Sequence, residues 1–153
     1  MILPAQEIRR RALAAKLISP FSERTTTDGL SYGLSPAGYD IRAAEELRVF
    51  DGELRLTYSL EHFNMSLDLL AYVKDKSSWA RRGLFVQNTV IEPGWRGYLT
   101  LELTFHGDGF ILIHKGAPIA QIIFHLLSSP TEQPYSGKYQ DQPARPVGAK
   151  YES

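Results

Sequence analysis

Apolar positions recur with a helical period at the start of the chain and with a period of two, or in short blocks, almost everywhere after it. From 5 to 17 strong helix formers predominate. Ile8, Ala12, Leu13, Ala15 and Leu17 supply an apolar face and Pro20 ends the run, which predicts one amphipathic helix. Residues 22–34 are polar and turn-forming and read as a loop, and residues 35–42 return to order as a strand. Leu54, Leu56, Tyr58 and Leu60 alternate with Glu53, Arg55, Thr57 and Ser59, the pattern of a half-buried strand. Beyond Glu61 the apolar positions slip to Phe63 and Met65, which predicts a bulge or bend. Further strands are expected at 69–73, 84–91, 98–105, 110–114 and 117–127, with glycine turns near 107–109 and 115–116. Many short strands at close intervals predict a mainly β fold, an antiparallel sandwich, jelly roll or barrel with a helix at its N-terminus. From Ser128 onward Pro, Ser, Gly, Gln and charge are too dense for a core, so 1–153 is expected to be a single domain with 128–153 an extended C-terminal tail.

Charge changes the picture by what it excludes. Seventeen Lys plus Arg balance seventeen Asp plus Glu, so no global field favours a nucleic acid polymer or an acidic membrane, and any bound anion is expected to be small. No long apolar run could span a bilayer, and Arg9, Arg10 and Arg11 follow Ile2 and Leu3 where a secretory signal would need an apolar stretch; a cytoplasmic protein is expected. There is no cysteine, which removes disulfides, a thiol nucleophile and the cysteine-containing zinc site by which one class of base deaminases activates water. His62, His106, His114 and His125 fit no HExxH spacing, and no Gly-x-Ser-x-Gly elbow is present.

The stretch from Lys76 to Glu102 concentrates the remaining chemistry. Lys76-Ser77-Ser78 looks like the end of a phosphate-binding P-loop, but Leu70 and Asp75 stand where that motif needs glycine. Ser78 to Gly83 reads either as a capped surface turn or as one helical turn whose amides, hydroxyls and Arg81 face an anion. Glu102 shares the polar face of a strand with Tyr98, Thr100 and Thr104, as a solvated carboxylate or as a base; Glu92, in Glu-Pro-Gly, reads as a turn residue.

Taken together and in order, these stretches resemble the dCTP deaminases of the trimeric dUTPase superfamily. Leu17-Ile18-Ser19-Pro20-Phe21 and Gly38-Tyr39-Asp40-Ile41-Arg42 look like that family's opening segment and first strand. Lys76 to Gly83 is similar to its Lys-Ser-Ser/Thr-x-Ala-Arg-x-Gly signature, Ile91 to Glu102 to the segment ending in Thr-Leu-Glu, and Gly137 to Gln142 to its C-terminal Gly-Lys-Tyr-Gln-x-Gln. The family usually has glycine where Asp75 and Asp141 stand. The resemblance implies a distorted β-barrel or jelly roll, a homotrimer with sites between subunits, and hydrolytic deamination of dCTP to dUTP and ammonia without catalytic zinc. By match, Glu102 would be the general base and acid, and Ser77 and Arg81 would hold the water and the tetrahedral centre. The stretch from Gln87 through Asn88, Thr89 and Val90 to Glu92 would present backbone groups to the pyrimidine edge, and Trp95 would also contact the substrate. Lys76, Ser78, Arg82, Tyr135, Lys138 and Gln142 would surround the phosphates, with Mg2+ bound through them, while Gln121 would belong to the structural frame. Two other activities stay open: a dUTP or dCTP diphosphatase, alone or combined with deamination, using Glu92; and a non-catalytic nucleotide-binding regulator.

Overall fold

A computed structural model describes residues 1–152. The elements in chain order are α1 (Ala5–Ala15), β1 (Ile18–Ser19), β2 (Thr25–Thr27), β3 (Leu30–Ser35), β4 (Gly38–Arg42), β5 (Leu47–Phe50), β6 (Leu54–Asn64), β7 (Leu69–Asp75), α2 (Ser77–Ala80), β8 (Leu84–Val86), β9 (Val90–Ile91), β10 (Arg96–Phe105), β11 (Phe110–Ile113) and β12 (Pro118–Leu126). Three curled sheets result, ordered β2-β3-β4-β12-β7-β9, β1-β6-β10-β8 and β11-β5, with Tyr39, Phe63, Leu69, Leu101, Leu103 and Phe124 buried among them. The mainly β architecture with a short N-terminal helix is as expected from the sequence.

Four local expectations are corrected. In α1 only Ile8 and Ala12 are buried; Leu13 and Ala15 face solvent, because Leu13 lies five residues past Ile8, about 140° round the helix. The helix closes at Lys16, whose left-handed backbone returns its N–H to the Arg11 carbonyl, so Leu17 is buried beyond the helix. The expected loop at 22–34 holds the β2–β3 hairpin, whose turn is Asp28-Gly29 with φ of 49° and 76°. That is the Asp-Gly chemistry of a tight hairpin, hidden because β2 is three threonines. The single strand expected at 84–91 is two. Here β8 pairs with β10 and β9 with β7, so residues 87–89 carry the chain from one sheet to another.

The fourth correction inverts β6. Its polar members Thr57, Ser59 and Glu61 are fully buried, whereas Leu54 is exposed and Leu56, Tyr58 and Leu60 are half-buried. Burial is tolerated because each polar group has a partner. Glu61 accepts from the Arg42 guanidinium at 2.7 Å and the Arg42 backbone N–H at 2.9 Å, Arg42 stacks 4.4 Å over Tyr32, and the Thr57 hydroxyl donates to Glu45. The slip at Glu61 is a bulge, as the pattern implied: His62 faces Tyr98 and Tyr58 faces Thr100, four residues against two. Ser59 repairs the ladder there, accepting the Leu99 N–H at 2.9 Å and donating to the Glu61 carbonyl at 2.6 Å. The consequence for function is that β10 runs for ten residues, with Glu102 and Thr104 on its half-exposed face set opposite Leu56 and Leu54 of β6.

Candidate functional site

A cavity of about 550 Å³, within the usual size of small-molecule sites, opens where β10, the start of β6, the 88–92 crossing and the C-terminal segment meet. Its apolar side is made by Leu54, Leu56, Ile91, Leu99 and Trp95, and its polar groups are Glu102, Thr100, Asn88 and Glu92. Alternation along β10 puts Thr100 and Glu102 on one face, and antiparallel register sets Glu102 opposite Leu56 and Thr104 opposite Leu54. Glu102 thus leans on hydrocarbon. Burial pushes its carboxyl above the ordinary glutamate value of 4.5. Its backbone is held on both counts: the carbonyl accepts from the Gln87 N–H at 2.8 Å and the N–H donates to the Asn88 side chain at 2.9 Å.

The remaining wall is the segment after Ser128. It forms no helix or ladder, yet it lies stapled along residues 93–98. Tyr135 N–H donates to the Pro93 carbonyl, Asp141 N–H to Arg96, and Tyr98 N–H to the Gln142 carbonyl. The Trp95 indole donates to the Tyr139 carbonyl at 2.6 Å and the Gln140 amide to the Gly94 carbonyl at 2.9 Å. Asp141 is left-handed, φ 58°, and pairs with Arg96, so a glycine-like backbone is kept at an acidic residue. Thr100 clips the segment to the strand of Glu102, donating to Gln142 Oε1 at 2.8 Å and accepting the Val147 N–H at 3.0 Å. Val147, Ala149, Tyr135 and Tyr139 complete the enclosure.

Of the residues singled out in the sequence, the structure brings Asn88, Thr89, Val90, Glu92, Trp95, Glu102, Tyr135 and Gln142 together around this cavity. The others lie elsewhere. The Lys76 ammonium is buried and donates to Asp40 at 2.8 Å, which takes it from the phosphate set and makes it a tether for α2. Ser77, Ser78, Arg81 and Arg82 are exposed on and after α2, with Arg82 over the Trp79 ring. Gln87 turns outward to the Thr104 hydroxyl. Lys138 sits outside the lining, 5.7 Å from the centre of the Tyr139 ring. Gly83 is anchored to His106 and Gln87 to Glu102, partners four residues apart in the chain, and neither Ser77 nor Arg81 lines the cavity. Asp75 accepts the Val86 N–H at 2.7 Å, a link between β7 and β8 that a glycine could not make. Gln121 donates to Ser35 across the six-stranded sheet.

Sequence reasoning missed Leu54, Leu56, Ile91, Leu99, Thr100, Tyr139, Val147 and Ala149 as cavity residues. Thr100 was accessible, being two residues before Glu102 on the same strand face. Nothing local marks Leu54 or Leu56, whose placement depends on register with β10. Among the described residues, no three of His, Asp and Glu converge as a metal cage, and no helix is long and apolar enough to cross a membrane.

Comparison with known proteins bears on what the cavity takes. A family model described as dCTP deaminase-like matches residues 51–127. The dCTP deaminase of Acidobacterium capsulatum is 32% identical over 168 residues, spanning 88% of this chain and 91% of the relative. In fold, the chain is similar to the crystal structure of 2'-deoxycytidine 5'-triphosphate deaminase from Agrobacterium tumefaciens, with TM-score 0.67, 19% identity, and coverage of 82% of this chain and 47% of that one. The chain thus spans about half the length of that structure. It is also similar to a mutant dUTPase from phage phi11 of S. aureus, described with a structural Mg(II) ion, at TM-score 0.56 and 14% identity, covering 79% of this chain and 94% of that one.

Proposed function

The chain belongs to the dCTP deaminase family, and from that premise we propose that it is a dCTP deaminase whose chemistry occurs in the cavity at Glu102. The observation that carries this reading is one carboxylate, half-buried against leucines with its pKa raised, on the polar side of a nucleotide-sized cavity. Such a group holds its proton to higher pH than an exposed carboxylate and is a candidate for proton transfer. Glu102 takes a proton from water as the oxygen adds to C4 of cytosine. It then passes protons to the 4-amino group as the C–N bond breaks, leaving the uracil nucleotide and ammonia. With no cysteine in the chain, the reading needs no zinc-thiolate centre.

Ser77 and Arg81 are exposed and do not line the cavity of their own chain, so the proposal includes a homotrimer in which a second copy presents them to Glu102 and its water. Ser78 and Arg82 approach the phosphates from the same side, with Lys138 at the mouth. Magnesium favours oxygen ligands and keeps its waters, so it fits a carrier role on the nucleotide phosphates, with Glu92 as the carboxylate that lines the cavity beside Glu102. Bound in that way it would supply charge neutralisation for the triphosphate.

Glu92 favours one second reading, release of pyrophosphate from dUTP or dCTP, because it lines the same cavity as Glu102. One panel of cytosine and uracil nucleotides with Mg2+, assayed for ammonia and for pyrophosphate, separates the two. Ammonia from dCTP alone supports deamination, pyrophosphate supports the second reading, and tight binding without either product indicates a regulator.

The raised pKa makes a separate prediction. A carboxyl displaced upward stays protonated to higher pH than an exposed one, and its base form is lost as pH falls through the raised value. The Glu102 carboxyl carbon resonance in the free protein, identified by its absence in Glu102→Gln, is expected to titrate with a midpoint above 4.5. A midpoint at or below that value removes the poised base.

A further inference from the structure

We propose that Asn88 is a positioning residue, its carboxamide replacing a peptide group in the β ladder so as to hold the backbone of Glu102 while the chain itself leaves the sheet. The inference rests on the reading of Glu102 as the reactive group, and it removes Asn88 from the nucleotide contacts.

The ladder between β8 and β10 is regular from Leu84–Phe105 to Val86–Leu103. Its next rung opens with the Gln87 N–H on the Glu102 carbonyl, at 2.8 Å. A continuing strand would return the Gln87 carbonyl to the Glu102 N–H and then offer an N–H to the Thr100 carbonyl. The main chain does neither, since by Val90 it is paired with β7 in the other sheet. The Asn88 side chain does both: Oδ1 accepts the Glu102 N–H at 2.9 Å and Nδ2 donates to the Thr100 carbonyl at 2.7 Å. A carboxamide has the donor and acceptor of a peptide, so the edge of β10 remains satisfied where the main chain has departed. The departure is also what leaves Thr89 and Val90 exposed along the cavity. One side chain therefore permits the opening and fixes the residue that faces it. Both polar ends being engaged with backbone, Asn88 has little left to offer a base.

The test compares Asn88→Ala and Asn88→Asp with the wild-type protein. The alanine variant loses both bonds and is expected to lower kcat about 100-fold, the scale of an ångström's misplacement of a catalytic group, with KM for dCTP within about threefold of wild type, as for a loss not shared by ground-state binding. The aspartate variant is the sharper probe. Ionised, it lacks the donor for Thr100; protonated, its O–H donates there while its carbonyl oxygen still accepts from Glu102. Glu92 and Glu102 line the same cavity and raise the pKa of a carboxyl placed among them. The ratio of its kcat to that of wild type is therefore expected to rise as pH falls. Independently of any activity, the Glu102 amide is expected to exchange its proton at least about tenfold faster in Asn88→Ala, as for a released ladder bond. A raised KM with unchanged kcat, a flat Asn88→Asp ratio, or unaltered exchange at Glu102 overturns the proposal. If Asn88→Ala does not fold, the pH dependence of the aspartate ratio decides, because an aspartate keeps the acceptor for the Glu102 N–H and changes only the donor to Thr100. Faster exchange in a protein that releases no ammonia even as wild type upholds the positioning role and overturns the assigned reaction instead.

Discussion

Ammonia release is expected to fall by about three orders of magnitude or more in Glu102→Gln, with the assembly and dCTP binding retained. General acid–base catalysis contributes on the order of 10²–10⁴, and here one carboxylate serves both the addition of water and the departure of the amine. The substitution is nearly isosteric. It disturbs little else, because the fold holds Glu102 through its backbone, and its carboxylate accepts no hydrogen bond among the described residues. Steady-state ammonia assays beside calorimetric dCTP titration measure both quantities. Residual turnover above about a tenth of wild type would show that another group moves the protons.

Mixing two inactive variants is expected to restore about a quarter of wild-type activity. Ser77 and Arg81 do not line the cavity that holds Glu102, and in the proposed trimer each site takes Glu102 from one copy and Arg81 from the next. Arg81→Ala and Glu102→Gln each spoil every site when alone. In an equal mixture co-assembled from both, a site is intact when its Glu102 donor is the arginine variant and its Arg81 donor the glutamate variant, which random assembly in a ring gives at about one site in four. If both groups served one site from a single chain, no mixed assembly would contain an intact site and activity would stay at zero. The readout is ammonia release after co-refolding, with each variant refolded alone as the baseline.

The two results depend on features that differ in how plainly the sequence shows them. Strand alternation in β10 put Glu102 on a polar face, which is a local signal, and the family resemblance of the surrounding stretches singled it out. The face of β6 was not readable, since its buried polar residues depend on partners such as Arg42, nineteen positions earlier. Composition led to the expectation of an extended tail after Ser128. What orders it is a set of hydrogen bonds to residues 93–100, and composition carries no trace of those. Lys76 shows the reverse error: a motif suggested an anion contact, but the ammonium is occupied by Asp40. Asn88 lay within a stretch expected to face the pyrimidine, and only the two distances to β10 give it a different task.

The buried pair of Glu61 and Arg42 has a consequence for how the sequence can drift. Losing one partner of such a pair costs about 3–5 kcal/mol by leaving a charge uncompensated, a large part of the roughly 5–15 kcal/mol that holds a domain folded. A neutral residue in both places costs far less. The viable route from this pair to any other is therefore through two near-simultaneous exchanges, and positions 42 and 61 are expected to change together across descendants, while Leu13, bare to solvent, drifts alone.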